Sequence, residues 1–210
     1  EASKDADRAR ELTIKIAMAV AMSDGSLDKD EGNAIKSWVT KSISHLSDER
    51  QKTLKKLYNE AIKESYSLAK KGDLSLSNAT NQLNKLDEEG QKYEAMSLCY
   101  EVLAADGVAT KNELKTIEII GEALSLNATE LSNMRDKALI DIATEGVDEA
   151  SDEEILGIKS SWSDAQIKKH LIDNFKKWNS RIHSLQEGKE RENAQRMLDR
   201  IAALRQKYGD

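Results

Sequence analysis

Four carboxylates, Asp24, Glu31, Asp106 and Glu113, are the side chains best placed for chemistry, because they recur in register. The run Ser23-Asp24-Gly25-Ser26-Leu27-Asp28-Lys29-Asp30-Glu31 reappears as Ala105-Asp106-Gly107-Val108-Ala109-Thr110-Lys111-Asn112-Glu113 at a constant offset of 82 residues (Asp24 to Asp106). If the copies are related by a pseudo-twofold axis, the four acids converge and offer oxygen ligands to a hard divalent cation. Asp28 and Asp30 add charge to the first copy, whereas Thr110 and Asn112 replace them in the second, so such a site is asymmetric. An EF-hand is excluded, because its Asp-x-Asp-x-Asp-Gly spacing and distal Glu are missing. A structural reading competes. Gly25 and Gly107 suit the positive φ that ends an incoming helix. Asp28 and Thr110 then stand as N-caps, with Glu31 and Glu113 three residues on completing capping boxes. Only Asp24 and Asp106 are left over by that account.

Other reactive groups are scarce. The histidines His45, His170 and His183 are scattered; the last two lie thirteen residues apart, about 20 Å along one predicted helix, too far to share a metal ion. Cys99 lies between Leu98 and Tyr100 and reads as a small buried hydrophobe with no base beside it. No glycine-rich phosphate loop, His-Glu-x-x-His or Gly-x-Ser-x-Gly is present. The expectation is a protein that is not an enzyme. A single cysteine allows no internal disulfide and favours a reducing compartment.

The elements that must carry these residues are helices. Proline is absent from all 210 residues and glycine occurs ten times, which excludes turn-rich sandwiches and barrels. Leu12, Ile16, Ala19 and Val20 keep the spacing of a buried helical face, as do Ile35, Trp38 and Val39, and Leu54, Leu57, Ala61 and Ile62. Ser47 is placed to cap the third of these and Gly72 to end it. Further helices read at 77–88, 90–105, 110–124 and 128–145, and no stretch alternates in the manner of a strand. The copies match beyond the turns, Ile16 with Leu98, Val20 with Val102 and Ile35 with Ile117. The fold expected is all-α, a duplicated helical-hairpin bundle over 1–145, a linker over 146–152 and a small helical hairpin over 153–210.

Charge divides along the same line. Residues 1–150 hold 20 basic and 28 acidic side chains and residues 151–210 hold 12 and 10, within a chain of net charge −6. The basic excess of the C-terminal part is too small for nucleic-acid binding. No apolar run reaches the length of a membrane span. The chain starts at Glu1 without methionine, which points to a fragment and leaves room for a targeting or anchoring segment upstream.

Residues 10–145 resemble the TerB family, an all-helical domain associated with tellurite resistance, on the paired Ala-Met-Ser-Asp24-Gly25…Glu31 and Ala-Ala-Asp106-Gly107…Glu113 motifs. The resemblance implies a non-catalytic interaction or adaptor protein of a bacterial stress, envelope or defence-associated system. It also implies that Asp24, Glu31, Asp106 and Glu113 are the candidate metal site, with a divalent cation as the one cofactor. Residues 153–208 are similar to a J domain of the DnaJ co-chaperones, on Ile155-Leu156-Gly157-Ile158, Ser163-Asp164 followed by Ile167-Lys168-Lys169, and Trp178. The family's His-Pro-Asp is replaced by Asn179-Ser180-Arg181, so the module is degenerate and is not expected to stimulate a chaperone ATPase. Its basic positions Lys168, Lys169, Lys176, Lys177 and Arg181 are the candidate surface for a protein partner. A cytoplasmic location follows from the resemblance, with membrane association through missing upstream residues as the variant.

Overall fold

The computed structural model describes residues 2–142 and 151–209. Among these there are ten helices and no strand: α1 Ala2–Ala21, α2 Lys29–Ile43, α3 Asp48–Lys71, α4 Leu76–Lys85, α5 Glu89–Ala104, α6 Lys111–Ala123, α7 Ala128–Asp141, α8 Asp152–Ile155, α9 Asp164–Ile182 and α10 Lys189–Tyr208. The all-α expectation holds. None of these helices is long and apolar enough to cross a membrane.

Local chemistry sets the ends. Ser47, Ser75, Asn127, Ser151 and Ser163 each accept a backbone N–H of the first turn they precede, satisfying donors that have no partner inside the helix. The segment expected to be helical to residue 88 stops at Lys85, because Asp87 takes a φ of 52°, a left-handed conformation that no α-helix continues through. The helix expected to run to 145 is described to Asp141. Most of the expected linker lies outside the described residues; its last two, Ser151 and Asp152, are the cap and first residue of α8.

The duplication extends to packing. α1 lies on α5, α2 lies on α5 and α6 lies on α1, while α3 covers α1 and α7 covers α5. Exchanging the copies maps this pattern onto itself, which is the signature of a pseudo-twofold body. Helix α4, between the copies, packs on α1 and α6. The shared core is close-packed, with Leu12, Ile16 and Val20 of α1 facing Met96, Leu98 and Val102 of α5, all fully or almost fully buried. The C-terminal hairpin α9–α10 buries Ile167, Leu171, Trp178, Met197 and Ile201, and α10 packs on α7. Asn193 of α10 is buried and donates to the Ile140 carbonyl at 2.8 Å, satisfying an acceptor near the end of α7.

Candidate functional site

Each copy turns its corner in the same way. After α1 the Gly25 N–H donates to the Met22 carbonyl (3.0 Å), and after α5 the Gly107 N–H donates to the Ala104 carbonyl (3.2 Å). The two glycines have φ of 93° and 79°, which a side chain would oppose. Asp24 Oδ1 accepts the Ser26 N–H at 2.9 Å and Asp106 Oδ1 accepts the Val108 N–H at 2.8 Å, the same side-chain turn in both copies. The leftover aspartates are therefore occupied in rigidifying the corner, each with its second oxygen uncommitted to that bond. Both are exposed.

The capping boxes form as the spacing predicts. Asp28 and Thr110 accept first-turn N–H groups, while Glu31 Oε2 accepts the Asp28 N–H and Glu113 Oε2 accepts the Thr110 N–H, both at 2.8 Å. Glutamates in capping boxes are ordinarily solvated. These are not: Glu31 is 5% exposed and Glu113 4%. Because α2 and α6 pack symmetrically on the central pair, the two carboxyl groups meet within hydrogen-bonding reach of one another. Burial raises the Glu31 carboxyl to about 8, with Glu113 and Asp106 adding in the same direction against the Asp28 N–H. Burial also raises Glu113, which the Thr110 N–H and Glu31 draw back down. Two buried carboxyls this close cannot both ionise near neutrality, so the pair holds one proton between them. The titration belongs to the pair.

Of the four predicted acids, the structure thus brings Glu31 and Glu113 together and sets Asp106 close enough to act on both. Asp24 is held in its own turn. Among the described residues no three of His, Cys, Asp and Glu are grouped as a metal-binding set.

The predicted basic surface divides in two. Lys169 and Lys176 are exposed. Lys177 and Arg181 turn inward to Asp136 of α7, which is 4% exposed; Arg181 approaches it at 3.3 Å and also lies over the Trp178 ring. Lys168 is half-buried beside Gly209. Helix α9 also runs through Asn179-Ser180-Arg181 to Ile182, since no proline stops it there. Arg181 is therefore a helical residue spent on an internal ion pair.

Cys99 and His170 are withdrawn from solvent, whereas His45 and His183 are exposed. Cys99 is fully buried and its thiol is pushed up to about 12 by that burial. His170 is held below its ordinary range, chiefly by burial, with Nε2 2.8 Å from the Leu156 carbonyl and its ring edge-on to Trp162. Asp136 was missed by sequence reasoning: it lies 41 and 45 residues from its partners, and no local pattern signals a contact of that range.

The described residues form a duplicated helical unit closed at two matching acidic corners and packed against a helical hairpin. The family model described as "Tellurite resistance protein TerB" matches residues 13–136, and the chain belongs to that family. The match spans both corners and ends at Asp136, the residue that holds α9. No curated protein and no solved structure gave a significant match.

Proposed function

We propose that this chain is a non-catalytic interaction module, an adaptor in a bacterial stress, envelope or defence-associated assembly, working from the cytoplasmic side. The observation that carries the reading is where the chemistry-bearing side chains sit. The thiol is buried and protonated, the corner glutamates cap helices and share a proton, and Asp24 and Asp106 brace exposed turns. The two acidic corners remain accessible, a rigid surface for recognition. Membership of the TerB family supports the tellurite-related context. The test is photocrosslinking from exposed Ser26 and Lys111, beside the corners, in the native host. A discrete protein adduct that disappears in an Asp24→Ala/Asp106→Ala double variant supports the reading; an adduct pattern unchanged by that variant contradicts it.

A second reading, divalent-cation binding at the same corners, rests on the meeting of the Glu31 and Glu113 carboxyl groups. A cation there would displace the shared proton, so binding would release protons and its heat would vary with the buffer. Titration with calcium, magnesium and zinc tests this; no heat and no thermal shift with any of them ends it.

The C-terminal segment reads as a degenerate J-like module. Its support is the short α8 followed by the antiparallel α9–α10 pair. The inward Arg181 argues that it does not act on a chaperone ATPase.

A further inference from the structure

A cleft of about 1350 Å³ lies where α5, α6 and α7 meet α8, α9 and the turn between them. That volume exceeds the roughly 300–1,000 Å³ of ordinary ligand pockets, and ligand sites favour such junctions. Its lining is mixed, with many charged and hydroxyl side chains, and its accessible apolar part is formed by the half-buried Leu126, Leu131, Ile158 and Trp162. That apolar patch offers a hydrocarbon chain a surface to cover.

Charge inside the cleft tells the occupant's sign. Lys111 is answered by Glu154 at 3.1 Å, Lys159 by Glu118 and Glu122, and Lys177 by Asp136. Lys115 of α6 and Arg135 of α7 line the same cleft without an ion pair among the described residues; Lys115 is exposed, whereas Arg135 is half-buried. Its guanidinium lies flush against Gly157, so closely that a Cβ built there would fall inside it. Gly157, at a φ of 69°, thus serves both the turn after α8 and the close approach. Asp136 cannot answer Arg135 without abandoning Lys177 and Arg181. Asp173, on the α9 wall, is exposed and makes no ion pair with it. Among the described residues this half-buried guanidinium has no carboxylate partner, and its planar fork suits a two-oxygen anion.

We propose that this cleft binds a single-tailed amphiphile with an anionic oxygen head group, the head on Arg135 and the tail against the apolar patch. The shared chemistry is a carboxylate or a phosphate monoester on a long alkyl chain. Sub-micellar dodecanoate and dodecyl phosphate, titrated separately into the full chain, distinguish the two head groups. Calorimetry reads the affinity, and quenching of Trp162 fluorescence, absent in Trp162→Phe, reads the location. The expected result is one saturable site for at least one of the two anions, weakened tenfold or more in Arg135→Gln. Gly157→Ala, which keeps the charge but displaces the guanidinium, should weaken it likewise. Dodecanol and dodecyltrimethylammonium should bind at least tenfold less tightly. Circular dichroism of each variant confirms that the fold is kept, and a variant that loses its helices is replaced by Arg135→Lys, which keeps charge but not the fork and should also bind more weakly. No saturable binding of either anion, undiminished binding by the folded Arg135 variants, dodecanol binding as well as the anions, or binding without the Trp162 signal would each overturn the assignment.

Discussion

Replacing Glu31 by glutamine isolates the cost of the shared proton. Unfolded, the Glu31 carboxyl ionises near its ordinary value of 4.5; folded, burial beside Glu113 and Asp106 raises it to about 8. A group raised on folding contributes its full stability below the unfolded value, and that contribution is lost as pH rises through the folded one. Each pH unit crossed while the folded state holds a proton that the unfolded chain has released costs about 1.4 kcal/mol. From pH 5 to 8 the loss therefore approaches about 4 kcal/mol, a large share of a typical fold's ~5–15 kcal/mol. Glutamine resembles the protonated acid: its carbonyl can keep the bond from the Asp28 N–H, and its amide can donate to an ionised Glu113. Urea unfolding of both proteins at intervals from pH 5 to 9 gives the difference in stability, in which other titrating groups largely cancel. Glu31→Gln should match wild type within about 1 kcal/mol at pH 5 and exceed it by several kcal/mol at pH 8. Parallel curves across that range would refute the shared proton. Glu31→Ala, which also loses the cap, should be less stable than wild type at pH 5 by roughly 1 kcal/mol or more.

Three further outcomes follow from the same packing. Asp136→Ala leaves Lys177 and Arg181 half-buried without their carboxylate and should cost about 3–5 kcal/mol in urea unfolding; a loss below 1 kcal/mol would show that the contact does not hold α9 to α7. Cys99 should resist a thiol reagent at pH 8 in the native protein and react fully in denaturant, since its thiol is buried and pushed up to about 12; rapid native modification would contradict that burial. In a steady-state assay with an Hsp70-type chaperone, the chain should leave ATP hydrolysis at its basal rate, and stimulation would contradict the proposal that a J-like module here is disabled by Arg181.

Much of the corner was readable from residue order because its chemistry is local. Asp28, Glu31, Thr110 and Glu113 occupy capping positions set by three-residue spacing, and Gly25 and Gly107 stand where the chain must turn. The offset of 82 residues pointed to a symmetric body, and contact between Glu31 and Glu113 is what that symmetry implies for two positions near its axis. Burial of the pair was not readable: it depends on how closely α2 and α6 seat on α5 and α1, a property of whole faces. Nor does sequence spacing reveal that Asp136 reaches Lys177 and Arg181, or that Arg135 settles on Gly157. Helix ends slipped for a backbone reason, as at Asp87, whose left-handed φ no side-chain pattern announces. On α9 the buried residues Ile167, Leu171, Trp178 and Ile182 keep helical spacing, yet the polar face carries no mark of which lysines turn inward.

The central claim is that two matching hairpins close on one another and lock a proton between their corner glutamates. Following the side-chain carboxyl carbons of Glu31 and Glu113 by ¹³C NMR from pH 3 to 10, with Glu31→Gln and Glu113→Gln to assign them, tests it most directly. The account predicts that the two signals titrate together, with one step of the pair near 8 and the other well below it. Two independent transitions, both complete below pH 5.5, would place the glutamates apart in water and contradict the symmetric body built around them.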